Sequence, residues 1–150
     1  DEINDEDWDW MNTINLRGPY LISKAISAMM KATGYGRIVN ISSIFGVVSK
    51  IKRASYSTTK WGLIGFTKAI ALDLGECNIL VNAVSPGFVD TDLTRKILSE
   101  DEIKSIIQDI PVKKLAFPDD IARTVLFLSS DLNTYITGQN IIIDGGFTSA

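Results

Sequence analysis

The sequence predicts an α/β fold in which a parallel sheet carries helices on both faces. Long segments with apolar residues at helical spacing alternate with short β-branched runs, and no internal repeat interrupts them. Strands that alternate with helices are joined by right-handed crossovers, which place the strands side by side and parallel. With 150 residues, 45% of them hydrophobic, the chain is long enough for one domain with a sizeable core.

The first half of the chain predicts a helix followed by a strand. Apolar residues recur at helical spacing from about residue 8 to 32, behind acidic residues suited to a helix N-terminus. Gly18-Pro19 is where we expect this helix to bend. Residues 34–36 then break it, and the β-branched run at 37–42 is typical of a buried parallel strand.

The remaining elements follow from the same patterns and from their end signals. The sequence predicts a helix at 54–76, a strand at 79–84, helices at 99–110 and 118–128, and a strand at 140–144. The second strand stops at Ser85-Pro86-Gly87, because proline removes a donor and glycine frees the backbone. The two short helices begin at the capping box Ser99–Glu102 and at Pro118, which two aspartates follow.

The charge distribution excludes several classes of partner. Six carboxylates and no base lie in the first nine residues, whereas the rest of the chain has 15 basic and 12 acidic side chains. The Lys and Arg residues form no stripe of the kind that binds a phosphate backbone, so we expect no nucleic-acid partner. No apolar stretch approaches the roughly 20 residues of a membrane helix, and we expect a soluble protein.

The absent and rare residue types restrict the chemistry. The chain has no His, which excludes Ser-His-Asp and Cys-His catalysis and most transition-metal sites, so we expect no metal. Acid–base chemistry must therefore use Tyr, Lys, Asp or Glu. The single Cys77 forms no intrachain disulfide and fits a reducing compartment, so we expect a cytoplasmic protein.

A small set of polar residues is predicted to meet at one edge of the sheet. Tyr56 and Lys60 are four residues apart on a helix and therefore share a face, although this pair alone is also compatible with simple packing. Ser43 follows the first strand, and the carboxyl ends of parallel strands border the ligand crevice. Asn15 in the first helix and the end of the second strand complete the group, which favours a functional site over coincidence.

These residues resemble the short-chain dehydrogenase/reductase family. Asn15-Leu16 is similar to the family's helix asparagine, residues 40–46 to its strand and serine signature, and the segment from Tyr56 to Lys60 to its YxxxK motif. Residues 81–91 resemble the nicotinamide-side loop, and residues 136–146 resemble the last strand. The resemblance covers essentially the whole chain.

The resemblance implies a Rossmann-like, doubly wound sheet, an NAD or NADP cofactor and a small-molecule ketone or secondary alcohol as substrate. It implies that Tyr56 is the general acid/base, that Ser43 hydrogen-bonds the substrate oxygen, and that Asn15 anchors a water relay. It further implies cofactor contacts from Tyr56, Lys60, Pro86, Gly87, Val89 and Thr91. A free tyrosine has a pKa near 10, so its use at neutral pH asks for about 4 kcal/mol of phenolate stabilisation, which the Lys60 ammonium can supply.

Compared with the family, the chain lacks the first strand, the Gly-rich phosphate-binding turn and the helix after it. We therefore expect a partial sheet and a single C-terminal catalytic portion, 1–150, of a Rossmann-like domain. The sheet flank beside residues 37–42 should carry unpaired backbone groups. Because the pyrophosphate-binding helix N-terminus is missing, turnover by this piece alone is in doubt.

The closest branch of the resemblance is that of the 3-oxoacyl-[acyl-carrier-protein] reductases, through residues 62–68 and 86–92. Gly34 and Cys77 stand where such enzymes tend to place basic residues, so sugars, steroids and small secondary alcohols stay open as substrates. Residues 92–117 are expected to form a lid over the substrate. The alternative function is a truncated, non-catalytic oligomerising fragment, since the two long helices associate subunits in family members, as dimers or tetramers.

Overall fold

The computed structural model describes residues 2–149, and in that part the three strands form one parallel sheet in the order β1-β2-β3. The strands are β1 Gly36–Ile41, β2 Ile79–Pro86 and β3 Asn140–Ile143. The helices are α1 Asp5–Asn12, α2 Gly18–Thr33, α3 Ala54–Gly75, α4 Asp92–Ile97, α5 Glu100–Asp109 and α6 Pro118–Ser129. The predicted α/β fold with a partial parallel sheet is confirmed.

The first long helix differs in detail from the prediction. It begins at Asp5, and a π-helical segment at Thr13–Arg17 separates α1 from α2. The amide of Gly18 donates to the Thr13 carbonyl, one residue further back than in an α-helix. Pro19 explains the wider turn, because it has no amide hydrogen to complete the α-helical bond to residue 15. The irregularity therefore precedes Gly18-Pro19, where the sequence predicted a bend.

Two further elements depart from the sequence prediction. Helix α4 was not predicted separately, because six residues are too few for a helical period to stand out. Its start is nevertheless marked by Thr91, whose hydroxyl accepts a hydrogen bond from the Thr94 amide at 3.2 Å. Strand β2 continues to Pro86, two residues beyond its predicted end.

Helices cover both faces of the sheet. On one face, Ile38 of β1 and Ile79 and Val81 of β2 pack with Ala71 and Leu74 of α3, and α2 adds Ile26 and Met30. Successive side chains alternate between faces, so Asn82 points to the other face, which α6 covers.

No helix within residues 2–149 combines the length and apolar character that a bilayer crossing requires.

The outer side of β1 is an open sheet edge in the described part of the chain, as predicted. The amides of Gly36 and Ser42 donate to β2 or the residue before it. By alternation, the amides and carbonyls of Arg37, Val39 and Ile41 point away from β2. A groove of about 430 Å³ lies between this edge and the start of α2.

Candidate active site

Ser43 lies directly beyond the carboxyl end of β1 and begins the 3₁₀ turn Ile44–Gly46. The side chain is buried, and its Oγ accepts a hydrogen bond from the Phe45 amide at 3.1 Å. Because this bond uses the oxygen as an acceptor, the hydroxyl hydrogen stays available to donate to another group. The 3₁₀ turn thus fixes Ser43 as a donor at the mouth of the sheet.

Tyr56 occupies the first turn of α3, and Lys60 follows it one turn later on the same face. The Lys60 Nζ lies 5.6 Å from the centroid of the Tyr56 ring. The same ammonium donates a hydrogen bond to the Ile41 carbonyl at 3.0 Å, one of the groups that face away from β2. Burial lowers the pKa of the Lys60 ammonium. The open edge of β1 therefore holds the cation beside the tyrosine.

Asn15 sits inside the π-helical segment, and its side chain points to α3. The amide nitrogen of Asn15 lies 3.2 Å from the Thr59 Oγ1, which itself donates to the Tyr56 carbonyl at 2.8 Å. Thr59 is fully buried, so this chain of hydrogen bonds ties the π segment to the first turn of α3. Segments of π-helix occur frequently at functional sites. Sequence reasoning missed Thr59, because a threonine inside a helix carries no signal by itself.

The residues expected on the nicotinamide side lie at the end of β2 and just beyond it. The Gly87 amide donates to the Ile143 carbonyl at 2.8 Å, and a Cβ there would come within 2.8 Å of Asp144. Only glycine therefore allows this approach of β2 to the end of β3. Val89 accepts a hydrogen bond from the Thr94 hydroxyl at 2.7 Å.

A cavity of about 240 Å³ opens at this end of the sheet. Gly87, Val89 and Phe88 form one wall, Phe45 another, and α4 with α5 the cover, through Leu93, Thr94, Ile97, Leu98 and Ile106. The segment 92–117, predicted as a lid, thus supplies these side chains from α4, from α5 and from Leu98 between them. Pro86 and Thr91 lie beside the lining, at the strand end and at the cap of α4.

A row of aromatic rings connects the cavity wall with Tyr56. The Phe45 ring meets the Tyr56 ring edge to face with centroids 6.3 Å apart, and Phe88 stands at the same distance from Phe45. Phe147 near the end of the chain continues the row at 5.4 Å from Phe88. Edge-to-face aromatic pairs fix ring orientation, so the row gives the cavity a rigid apolar wall beside the tyrosine. Sequence reasoning did not single out these phenylalanines.

Ser43, Tyr56 and Lys60 do not themselves line this cavity; Tyr56 borders it through its contact with Phe45. A parallel sheet with helices on both faces and a cavity at the carboxyl ends of its strands is the architecture of the doubly wound α/β class. The chain matches, over residues 1–148, the family model described as Enoyl-(Acyl carrier protein) reductase. The chain belongs to the short-chain dehydrogenase/reductase family.

Relatives with assigned names agree with this family. The chain is 44% identical over 140 residues to a 3-oxoacyl-[acyl-carrier-protein] reductase of Aquifex aeolicus, a match that covers 93% of this chain and 56% of the relative. It is 42% identical over 144 residues to the reductase of the same name in Rickettsia felis, covering 96% and 59%. The chain thus spans little more than half the length of these relatives.

Solved structures repeat the same fold. A 4-hydroxyisoleucine dehydrogenase mutant complexed with NADH and succinate superposes with a TM-score of 0.95 at 33% identity, covering 99% of this chain and 62% of that one. A gluconate 5-dehydrogenase from Burkholderia cenocepacia in complex with NADP and tartrate also gives a TM-score of 0.95, at 27% identity with 99% and 59% coverage. Both confirm that the sheet is a partial Rossmann-like one.

Proposed function

We propose that this chain is the catalytic part of a cytoplasmic NAD(P)-dependent oxidoreductase, within a single Rossmann-like domain, that interconverts a ketone and a secondary alcohol. Tyr56 is its general acid/base. The observation that carries the proposal is the Lys60 ammonium, 5.6 Å from the Tyr56 ring and bonded to the carbonyl at the end of β1. The free thiol Cys77 supports the cytoplasmic assignment.

Lys60 stabilises the phenolate form of Tyr56 by charge. Because the ammonium is partly desolvated, which also lowers its pKa, its attraction for a neighbouring anion is stronger than in bulk water. In the direction of reduction, the Tyr56 hydroxyl gives its proton to the carbonyl oxygen, and the phenolate is held by Lys60 until a new proton arrives. In oxidation the same phenolate accepts the alcohol proton.

Ser43 orients the substrate oxygen. Its Oγ is already an acceptor for the Phe45 amide, so its own hydrogen is directed to the substrate. Asn15 supports the site through Thr59, which fixes the first turn of α3, and the π segment is where a water relay to solvent would start. The carbonyl oxygen thus meets two donors, Ser43 and Tyr56.

The residues present fit a nicotinamide nucleotide. An ammonium has three donors, and the Ile41 carbonyl takes one from Lys60, which leaves two for ribose hydroxyls. Gly87 and Val89 contribute the cavity wall on the nicotinamide side, with Pro86 and Thr91 beside them. When bound, the nicotinamide supplies or accepts the hydride.

The substrate class is a ketone or secondary alcohol small enough for the cavity of about 240 Å³. The names of the curated relatives support a 3-oxoacyl thioester as one member of that class. Short 3-oxoacyl thioesters, hydroxy acids and simple secondary alcohols therefore form the panel for the first assay.

The test is replacement of Tyr56 by Phe in the longest natural form that carries this sequence. We expect turnover of NADH or NADPH with the best substrate of the panel to fall by about 10²- to 10⁴-fold, the usual value of a positioned acid/base. Tyr135→Phe is the matched control, because Tyr135 is 94% exposed and does not line the cavity. Turnover by Tyr56→Phe at the level of the control would refute the role of Tyr56.

A non-catalytic oligomerising piece is the second candidate, and exposed apolar residues of α3 favour it. Trp61 is 54% exposed and Leu72 is 84% exposed, and a groove of about 700 Å³ separates α1 from α3 nearby. A homo-oligomer, dimer or tetramer, would bury these side chains. Titration of NADH and NADPH into the purified 150-residue chain separates the candidates, since saturable binding at millimolar cofactor excludes a purely structural role.

A further inference from the structure

The cavity beside Tyr56 has a charged end that the proposed reaction does not use. Lys50 and Arg53, from the loop between the 3₁₀ turn and α3, line it together with the apolar wall of Phe45, Phe88 and the lid helices. No carboxylate of the described residues shares this lining. A cavity with apolar walls and only cations at its rim is complementary to an anion attached to a hydrocarbon body.

Arg53 is placed one helical turn from the reacting group. Its carbonyl accepts the hydrogen bond of the Ser57 amide at 2.7 Å, which starts α3, and Tyr56 follows three residues later. The cavity lining brings Arg53 together with Phe45, whose ring contacts the Tyr56 ring. An anion held by the Arg53 guanidinium would therefore occupy the cavity that Tyr56 borders through Phe45.

The charges around Lys50 and Arg53 decide which of the two would bind an anion more strongly. Glu102 on α5 faces Lys50, but its carboxylate is bonded to the Ser99 backbone and hydroxyl as part of the capping box. Lys50 is therefore partly compensated. Neither cation is in an ion pair among the residues that the structure describes, where the bridges join Arg95 to Asp90 and Lys104 to Asp101. Arg53 also has the planar fork that binds carboxylate or phosphate with two parallel hydrogen bonds.

We propose that Lys50 and Arg53 form an anion subsite at the mouth of the cavity of about 240 Å³, which selects substrates with a carboxylate or phosphate on a short hydrocarbon chain. This inference rests on the proposed function for the position of the carbonyl. The anion subsite itself is defined by the cavity lining alone.

The test is calorimetric binding of three probes to the longest natural form: hexanoate, hexyl phosphate and the neutral hexanamide. We expect the better anion to bind about tenfold more tightly than hexanamide, the value of one charge-assisted contact. The preferred anion identifies the group as carboxylate or phosphate. Equal affinity for all three probes, or no binding of any, overturns the subsite.

The variants identify the residues responsible. Arg53→Gln should remove most of the tenfold advantage, Arg53→Lys should keep part of it, and Lys50→Gln should lose about threefold. Lys52→Gln is the matched control, because Lys52 belongs to the same exposed loop and carries the same charge but does not line the cavity. A loss with Lys52→Gln equal to that with Arg53→Gln would overturn the subsite in favour of a general charge effect.

One further variant keeps the two proposals apart. Tyr56→Phe should bind the anionic probe as tightly as the unmodified protein, because none of the probes carries a ketone. If Tyr56→Phe abolishes turnover while no probe distinguishes anion from amide, the subsite is wrong and the proposed reaction stands. If the anion preference depends on Arg53 while Tyr56→Phe keeps full turnover, the subsite stands and the acid/base role of Tyr56 is wrong.

Discussion

The two paired strands β1 and β2 lie in opposite environments. Ile41 of β1 and Val84 of β2 are register partners, yet Val84 is fully buried and Ile41 is 45% exposed. Strand β2 pairs on both sides, whereas β1 borders the groove beside α2. Two of the candidate site residues lie on the β1 side, because Lys60 binds the carbonyl of Ile41 and Asn15 lines the same groove.

The difference separates the most tightly packed part of the molecule from the part that holds the candidate site residues. Parallel strands are usually covered on both faces and at both sides, so free energy of burial concentrates where β2 meets α3. The edge of β1 keeps polar backbone groups accessible, which is costly for an ordinary strand. At this edge the accessible carbonyl of Ile41 accepts a hydrogen bond from the Lys60 ammonium and so holds it next to Tyr56.

The largest expected effect compares two asparagines on the two strands. Asn82 of β2 donates to the Ile136 carbonyl at 2.7 Å and accepts from the Gln139 amide at 3.0 Å, whereas Asn40 of β1 donates once, to Thr67 at 2.9 Å. Asn82→Ala removes both hydrogen bonds of a fully buried side chain and leaves the Gln139 amide without this partner, and we expect it to lower the free energy of unfolding by about 3 kcal/mol.

Asn40→Ala is the matched substitution, and we expect a loss of about 1 kcal/mol. The loss is smaller because the Thr67 hydroxyl keeps its own bond to the Leu63 carbonyl at 2.8 Å. Urea unfolding of both variants, followed by circular dichroism, gives the two values. Equal losses would mean that β1 is held as firmly as β2 and would remove the contrast.

A second comparison uses the register partners themselves. Val84→Ala deletes buried methyl groups and should cost about 2 kcal/mol of unfolding free energy, while Ile41→Ala should cost less than about 1 kcal/mol although it removes more carbon. Urea unfolding again measures both. A greater loss for Ile41→Ala would show that another segment or chain covers the groove beside β1.

The sequence predicted the bounds of the helices and strands more accurately than the contacts between their side chains. Helix α3 and strands β1 and β3 end within about two residues of their predicted bounds, because helical periodicity and β-branched runs are local signals. Motif spacing also predicts Ser43, Tyr56 and Lys60 as candidate site residues, and this stays a prediction. The π segment at Asn15 and the carbonyl partner of Lys60 were not predictable, because they depend on Pro19 and on which side of β1 remains unpaired.

The smallest expected effect concerns the opposite edge of the sheet, where β3 is followed by Asp144. Its carboxylate accepts hydrogen bonds from the Gly146 amide at 2.9 Å and from the Thr148 amide and hydroxyl, both at 2.7 Å. Burial alone would raise the pKa of Asp144, but the bonds from Thr148 and Gly146 outweigh it and lower that pKa. Asp144 thus stabilises the fold in its charged form. The end of β3 therefore contacts an anion, whereas the last carbonyl of β1 contacts the Lys60 cation.

A lowered pKa in the folded state means that the unfolded chain binds the proton more readily. The contribution of Asp144 is therefore complete above the ordinary Asp pKa of about 3.9 and is lost as the pH falls through the lower, folded-state pKa. Asp144→Asn should cost about 1 kcal/mol or less at pH 7, because the group is partly solvated, and the difference from the unmodified protein should shrink as the pH falls below about 3.9 toward the lower, folded-state pKa. Urea unfolding at pH 7, 5, 4 and 3 measures the trend, with the exposed Asp109→Asn as control. A difference that persists unchanged to pH 3 would assign the effect to packing and not to the charge that ends β3.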